Sequence, residues 1–210
     1  MRIIDITQPL GTGTAVWPGD QRFMLEWTLE QARGDSVNVA AVTMSVHTGT
    51  HTDGGFHVAR NGTRAAELPL EAFIGSALVV DARRVELDEG ILDDVDLSGI
   101  TRVLFRTRDA IDPSVFPASF KSPTEGLARR LVEAGVRLVG SDAPSMDHVD
   151  SKTLDTHHVL VNAGVAVLEN LVLSDVEPGV YTLIALPLKF TEADSSPVRA
   201  VLIEGKLEDR

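Results

Sequence analysis

The sequence predicts a β-rich mixed α/β domain spanning residues 1–210. Three observations lead to this fold class: several short runs rich in β-branched residues, one clearly marked helix, and the direct passage of that helix into a strand-like run. Because strand-like runs outnumber helices, we expect more sheet than helix. A length of 210 residues is typical of one domain, possibly a large one.

The predicted strands share composition and boundaries. Between Ala40 and Thr48 the apolar residues Val42, Met44 and Val46 alternate with other residues, which favours a strand with one buried face. The other runs are rich in β-branched residues and end at turn formers or charges. They are Ser76–Ala82, Thr101–Thr107, Val136–Gly140, Gly164–Leu168, Tyr181–Leu188 and Val198–Glu204.

The stretch SPTEGLARRLVEAG predicts the marked helix. Ser122 can cap it, Pro123 fits the first helical position and Glu125 completes a capping box. Apolar residues then recur at helical spacing, and Gly135 supplies the C-terminal stop. The run Val136–Gly140 follows at once, and a helix that leads into a buried strand is typical of α/β domains.

Composition excludes several classes of function. The chain has no cysteine, which excludes disulfides, cysteine-bound zinc and a thiol nucleophile. Its net charge of −12 and its lack of a Lys/Arg run argue against nucleic acid as a partner. The start MRIIDITQPL does not resemble a signal peptide, and no apolar run approaches membrane-spanning length. We therefore expect a cytoplasmic protein without a membrane partner.

The stretch SVHTGTHTDGGFH, from Ser45 to His57, holds three of the six histidines. Its glycines and β-branched threonines argue against a helix and favour a strand next to a tight loop. In an extended chain His51 and Asp53 point the same way. Converging imidazole nitrogens and a carboxylate, without sulfur, suit Zn²⁺ or Mn²⁺ at a catalytic site. The alternative is a polar loop with unrelated surface histidines.

Glu169 ends the strand-like run Gly164–Leu168, where ligands of α/β sheets gather, although a solvated carboxylate at a strand end would look the same. The adjacent His157 and His158 would face opposite ways in an extended chain, so at most one of them points into a shared site. Asp142, Ser145 and Asp147 follow another predicted strand. They either orient histidines or cap the next segment.

The motif HTGTHTDGGFH resembles the HxGTHxDxPxH motif of the metal-dependent cyclase-like hydrolases. Within that family the chain is most similar to the bacterial arylformamidases, and the likeness covers nearly the full length. The further segments that carry it are VWPGD (Val16–Asp20), LPLEAFIGSALVVDAR (Leu68–Arg83), GSDAPSMD (Gly140–Asp147), LDTHH (Leu154–His158), VLENLVL (Val167–Leu173) and ALPLKFTEADSSPVRAVL (Ala185–Leu202).

This resemblance implies metal-dependent hydrolysis of N-formyl-L-kynurenine to L-kynurenine and formate, in tryptophan breakdown. It also implies a cyclase-like (swivelling β/α) fold, a homodimer or larger oligomer, and two divalent metal ions, Zn²⁺ or alternatively Mn²⁺. In the implied site Asp53 bridges the two ions. The implied residues are His47, His51, Asp53, His157 and Glu169 for the metals, His57 for proton transfer and Trp17 for the substrate pocket.

Other interpretations remain open from the sequence. Where the family motif has proline, this chain has Gly55, which loosens the loop before His57 and leaves the placing of His57 open. Trp17 by itself is equally consistent with an ordinary core tryptophan. The rival functions are a related two-metal hydrolase of a cyclic amide or lactone, such as isatin, and a family member that binds metal or ligand without catalysis.

Overall fold

The chain forms a nine-stranded mixed sheet and a separate two-stranded sheet in a computed structural model that describes residues 1–205. Residues 206–210 of the predicted domain lie outside the described residues. The strands are β1 (Ile3–Asp5), β2 (Met24–Leu29), β3 (Val39–Thr43), β4 (His51–Asp53), β5 (Ile74–Asp81), β6 (Arg102–Arg106), β7 (Leu138–Ser141), β8 (Ala166–Glu169), β9 (Gly179–Ile184), β10 (Ser195–Pro197) and β11 (Val201–Ile203). The α-helices are α1 (Glu125–Glu133) and α2 (Asp155–Asn162).

The order of the large sheet is β1-β11-β9-β5-β6-β7-β8-β4-β10. Strands β5 to β8 are parallel to one another, while the strands on either side pair antiparallel. The C-terminal ends of the parallel strands therefore share one edge of the sheet, which is where ligands bind in open α/β sheets. The predicted β-rich α/β class is confirmed.

Alternation along the central strands separates two apolar cores. In β6, Val103 and Phe105 join the core that includes α1 and α2, whereas Leu104 joins the core that includes β9 and β11. Phe105 and Leu104 are fully buried. A strand buried on both faces reads as a continuous apolar run, which explains why the sequence announces these strands clearly.

The predicted strands are present, with shifted ends. The largest difference is in the run Ala40–Thr48, where the strand β3 ends at Thr43 and the chain then turns. The backbone N–H of Thr48 donates to the carbonyl oxygen of Ser45 at 3.1 Å, which closes that turn. His47 consequently lies in a turn that precedes β4, and it is not part of a strand.

Helix α1 begins later than the sequence predicts. The N-cap is Thr124, whose Oγ1 accepts a hydrogen bond from the backbone N–H of Leu127 at 3.1 Å, so the predicted cap at Ser122 is wrong. The carbonyl of Pro123 instead accepts a hydrogen bond from Thr156 Oγ1 in α2 at 3.0 Å. This tertiary contact, which local sequence does not show, keeps Pro123 outside the helix.

The histidine pair 157–158 lies in a helix. Helix α2 follows Leu154, a non-glycine residue with a φ of 52°. The helix buries His157 and leaves His158 partly exposed, so one member of the pair faces inward, as expected. In residues 1–205 neither helix has the length and the apolar character needed to cross a bilayer.

The hairpin of β2 and β3 stands apart from the large sheet. Every residue of both strands is exposed, including Met24, Trp27 and Val42, whose exposures are 46%, 47% and 51%. A two-stranded hairpin has little stability by itself in water. Apolar residues on both of its faces are typical of a surface that another chain covers.

Candidate metal centre

Strand β4 places two of the predicted ligands and pairs with strands on both sides. It lies between β8 and β10, and His51 is directly opposite Glu169 in the antiparallel β8. Directly opposed residues bring their side chains together on the same face of a sheet. Asp53, two residues further along β4, points to that face as well. The strand register thus explains why a residue from position 169 meets the histidine motif.

Two glycines of the motif have separate structural reasons. Gly49 has a φ of +66°, a conformation that side chains with a Cβ rarely adopt, and its carbonyl oxygen lies 2.8 Å from His51 Nδ1. Gly54 has no left-handed φ, but a Cβ there would lie 2.6 Å from the carbonyl oxygen of Thr63. Its own N–H donates to the carbonyl oxygen of Asp194 at 2.7 Å, which draws that loop against the cluster.

Four buried side chains converge on one point. His51 Nε2 lies 3.5 Å from Asp53 Oδ1 and 3.3 Å from Glu169 Oε2. His157 Nε2 lies 3.5 Å from Asp53 Oδ2 and 3.2 Å from Glu169 Oε1. His47 joins at the rim, with Nδ1 at 3.1 Å from Asp53 Oδ1. All five predicted metal ligands therefore meet in one cluster, with Asp53 between the histidines.

The second nitrogen of each histidine is held by an acceptor away from the cluster centre. His157 Nδ1 lies 2.6 Å from Asp147 Oδ2, and His47 Nε2 lies 2.9 Å from Asp194 Oδ2. His51 Nδ1 contacts the Gly49 carbonyl oxygen, as described above. An acceptor at one ring nitrogen fixes the tautomer and leaves the lone pair of the other nitrogen for a metal. Asp147 also caps α2, since its carboxylate accepts from the Thr156 backbone N–H at 3.0 Å.

The centre of the cluster has the chemistry of a metal site. His51 Nε2, His157 Nε2 and both carboxylate oxygens of Asp53 are buried and have no hydrogen-bond partner among residues 1–205. Buried polar atoms normally have a partner, and leaving them without one is costly. Nitrogen and oxygen donors without sulfur suit a divalent cation of the zinc or manganese type. A cation bound here would satisfy the atoms that residues 1–205 leave without partners.

The charges of the cluster are strongly coupled. Burial by itself would lower the pKa of His51, but the carboxylates of Asp53 and Glu169 outweigh burial and raise it. Burial likewise opposes the shift at His47, where the hydrogen bond to Asp194 and the nearby negative charge of Asp53 raise the pKa to about 10. Burial would raise the pKa of Asp53, yet the neighbouring histidines hold it well below its usual value. Without a cation, protons on the histidines balance the carboxylates.

Asp194 is a site residue that the sequence analysis does not single out. Its Oδ2 lies 2.9 Å from His47 Nε2 and 3.2 Å from His57 Nδ1, so one oxygen serves a predicted ligand and the predicted proton-transfer residue. The hydrogen bond to His47 holds the pKa of Asp194 well below its usual range. In the sequence, the only indication of its role is that Asp194 lies within Ala185–Leu202, one of the segments that carry the family resemblance.

His57 differs from the other site histidines in its exposure. Its side chain is 32% exposed, compared with 2% for His51 and for His157. The ring centroid of His57 lies 5.9 Å from that of His157. One of its nitrogens lies close enough to His47 and Asp53 for a shared cation, within 4.8 Å. His57 is thus at the open side of the cluster, next to the cavity.

The loop that carries His57 has a substitute for the missing proline. The backbone N–H of Gly55 donates to Thr63 Oγ1 at 3.1 Å, and the N–H of Phe56 donates to the Thr63 carbonyl oxygen at 3.0 Å. A proline at position 55 would have no N–H for the first of these bonds. Hydrogen bonds to Thr63 therefore hold this loop where the family motif uses a rigid ring.

A cavity of about 770 Å³ opens onto the cluster. Trp17 is part of its lining, and the Trp17 ring packs edge-on against Phe116 at a centroid distance of 5.2 Å. The lining combines aromatic and aliphatic side chains with the polar groups of the cluster, a combination found in small-molecule sites. The His148 side chain is 63% exposed, and His148 does not belong to this lining.

Comparison with known proteins places this site in a family. A family model described as "Putative cyclase" matches residues 4–148. The chain is 42% identical over 200 residues to a kynurenine formamidase of Bacillus mycoides (strain KBAB4), covering 95% of this chain and 96% of that protein. It is 43% identical over 206 residues to a kynurenine formamidase of Salinibacter ruber (strain DSM 13855 / M31), covering 96% and 97%.

Solved structures agree with the sequence relatives. A potential metal-dependent hydrolase with cyclase activity superposes with a TM-score of 0.82 at 28% identity, covering 98% of both chains. Isatin hydrolase A from Labrenzia aggregata superposes with a TM-score of 0.82 at 26% identity, covering 97% of this chain and 94% of that one. The site geometry, the family model and these relatives agree: the chain belongs to the cyclase family of metal-dependent hydrolases and is similar to kynurenine formamidases over nearly its full length.

Proposed function

We propose that this protein is an arylformamidase that hydrolyses N-formyl-L-kynurenine to L-kynurenine and formate in tryptophan degradation. The observation that carries the proposal is the 42% identity to a kynurenine formamidase over 95% of the chain. The meeting of His51, Asp53 and Glu169 beside an aromatic-walled cavity supports it, because amide hydrolysis needs a reactive centre and a place for the aryl ring. Single-domain organisation over residues 1–210 is part of the same proposal.

We infer that the site takes two divalent metal ions, Zn²⁺ or alternatively Mn²⁺. His47, His51 and Asp53 would hold one ion, and Asp53 would bridge to another held by His157 and Glu169. The support is the central place of Asp53, whose Oδ1 faces His47 and His51 and whose Oδ2 faces His157. When bound, such ions supply Lewis acidity and a more acidic water.

His57 provides the proton for the leaving aniline nitrogen in this proposal. A leaving amine must be protonated as its bond to carbon breaks, and a positioned histidine is the commonest donor for that step. His57 borders the cavity while the predicted ligands are more buried. Its hydrogen bond to Asp194 keeps the ring oriented and leaves Nε2 free to exchange the proton.

Trp17 orients the aryl ring of the substrate in this proposal. Its ring is part of the cavity wall and is itself braced by Phe116 and, at 6.4 Å, by Phe120. Aromatic pairs are favourable in edge-on and offset stacked arrangements. A ring held against this wall keeps water away from one side of the formyl group and leaves the other side to the cluster.

We further propose that the protein acts as a homodimer or larger homo-oligomer. The exposed β2–β3 hairpin supports this, since its apolar side chains Met24, Trp27 and Val42 have no cover within residues 1–205. Its flanking residue Met44 lines the cavity, so a second chain on the hairpin would lie near the site. Light scattering on the wild type and on Trp27→Glu tests this, with a monomeric wild type as the contradicting result.

An isatin-type ring-opening hydrolase is the competing function. The structural likeness to isatin hydrolase A is at 26% identity, lower than the 42% shared with a kynurenine formamidase, so deformylation is favoured. Purified protein should release formate from N-formyl-L-kynurenine, with the absorbance change of L-kynurenine formation. Hydrolysis of isatin without formate release from the formamide would contradict the proposal. Binding of the formamide by metal-loaded protein without turnover would indicate a non-catalytic member.

The division of roles within the site is tested by two variants. Asp53→Ala should lose bound metal and activity, because Asp53 faces both halves of the cluster. His57→Ala should keep its metal but lose most of its turnover. Elemental analysis and formate release are measured on the same samples. The matched controls are Asp150→Ala and His148→Ala, at two exposed positions. They should change neither the metal content nor the rate of formate release. A metal-free yet active Asp53→Ala protein would refute the assignment.

A further inference from the structure

One cationic side chain of the cavity wall lies outside the histidine cluster. Within residues 1–205, Arg108 is the one lysine or arginine that lines the cavity. The same lining also includes acidic residues, among them Asp20 and Asp112. In a chain with a net charge of −12, a lone guanidinium inside a cavity creates a local site for an anion.

Arg108 is positioned by the sheet. It lies two residues beyond the end of β6, on the edge of the parallel strands where Glu169 ends β8. Its backbone N–H donates to Asp142 Oδ2 at 3.1 Å, which fixes the start of its side chain next to β7. Since β7 lies between β6 and β8, the two edge positions are about 10 Å apart. Arg108 is therefore near the metal centre and separate from it.

The guanidinium of Arg108 is not engaged in an ion pair within residues 1–205. Its one hydrogen bond is long, from Nη1 to the Asp142 carbonyl oxygen at 3.5 Å. Other arginines of the chain are paired, for example Arg83 with Asp81 and Arg199 with Asp5. An arginine with a half-buried side chain and free donors on a cavity wall is suited to bind a planar anion with two parallel hydrogen bonds.

We propose that Arg108 binds the α-carboxylate of the substrate and makes the site selective for amino-acid aryl formamides. The inference rests on the proposed function. In N-formyl-L-kynurenine the formamide and the acyl chain that ends in the amino-acid group are attached to adjacent carbons of the ring, and several bonds separate the formyl carbon from the α-carboxylate. With the formyl group at the metal centre, the carboxylate extends to a different part of the wall, and Asp20 and Asp112 offer partners for the α-ammonium group.

The test compares two substrates that differ only in the amino-acid group. N-Formyl-L-kynurenine has this group, and N-(2-acetylphenyl)formamide lacks it. Arg108→Gln should raise the KM for N-formyl-L-kynurenine about 10- to 100-fold, the range for losing hydrogen bonds to a charged group. The kinetics with N-(2-acetylphenyl)formamide should not change, and Arg108→Lys should recover part of the loss. Equal loss on both substrates, or no loss on either, would overturn the inference.

A binding measurement separates this inference from the proposed function. Titration calorimetry with the products L-kynurenine and 2-aminoacetophenone needs no turnover. Arg108→Gln should weaken the binding of L-kynurenine and leave the binding of 2-aminoacetophenone unchanged. The control Arg22→Gln replaces an exposed arginine next to the cavity-lining Gln21 and should weaken the binding of neither product. A wild type that binds L-kynurenine through Arg108 but releases no formate contradicts the proposed function alone. Unchanged L-kynurenine affinity in Arg108→Gln contradicts the inference alone.

Discussion

Asp194 Oδ2 lies 3.2 Å from His57 Nδ1, although the two residues are 137 positions apart in the chain. The same oxygen also accepts from His47, so one carboxylate fixes a metal-facing histidine and the histidine at the cavity. The hydrogen bond from Gly54 N–H to the Asp194 carbonyl oxygen, at 2.7 Å, holds the backbone of this loop in place. Asp194 therefore acts as a positioning residue for both sides of the site.

Replacing Asp194 should slow turnover by loosening His57. We expect Asp194→Asn to lower kcat about 10- to 100-fold, as is usual for partners that orient site histidines. The assay is formate release at saturating metal, so that a weaker hold on His47 does not contribute. Glu192→Gln removes a charge from the same loop at an exposed position and should have no effect. An unchanged kcat in Asp194→Asn would show that His57 needs no such partner.

Removing metal should lower the melting temperature. The unpartnered atoms of His51, Asp53 and His157 gain partners only when a cation is bound, and binding to the native state alone stabilises it. With metal at a hundred times its Kd the gain is about 2.7 kcal/mol, or about 5–10 °C for a domain of this size. Thermal unfolding of chelator-treated and metal-restored protein measures it. Asp53→Ala should show no shift, and a wild type without a shift contradicts a metal at this site.

Metal binding should release protons and tighten as the pH rises. In the metal-free protein the pKa of His47 is raised to about 10, and those of His51 and His157 are raised as well, so these histidines carry protons at neutral pH. A cation must displace those protons, which makes its apparent affinity lower at about pH 6 than at about pH 8. Calorimetry in buffers of different ionisation enthalpy counts the released protons. Affinity that does not vary over this range would contradict the protonated cluster.

Shortening Trp17 should weaken substrate binding more than it slows chemistry. Because Trp17 braces against Phe116 and lines the cavity, Trp17→Leu removes an aromatic surface worth about 0.5–1.5 kcal/mol, which corresponds to about a 2- to 13-fold rise in KM. Steady-state kinetics with N-formyl-L-kynurenine measures KM and kcat separately, and KM should change more than kcat. Phe190→Leu, at a 38% exposed residue outside the lining, is the control. A change in kcat alone would place Trp17 outside the substrate wall.

The metal cluster is predictable in large part from the sequence because its parts are local or follow family motifs. His51 and Asp53 lie in one strand, where spacing by two residues puts side chains on the same face. Glu169 ends a run whose β-branched residues announce a buried strand. Nearby residues likewise determine the buried strands. They also determine the C-terminal end of α1, where Gly135 has a φ of +78°.

The parts of the fold and of the site that the sequence does not predict depend on tertiary contacts. Asp194 meets His57 only because β10 pairs with β4, and no short-range pattern encodes that pairing. The N-cap at Thr124 follows from the contact between Pro123 and Thr156. Arg108 stands out only when the cavity is formed, since in the sequence it is one arginine among many.

The antiparallel pairing of β4 on both sides separates the reacting groups from the parts that select the substrate. His51 and Asp53 are held by hydrogen bonds to β8 and β10, while Trp17 and Arg108 belong to loops at the rim. Mutations that retarget this catalyst to new formamides should therefore accumulate in those rim loops. A library for directed evolution can diversify them freely while keeping the inner strand constant.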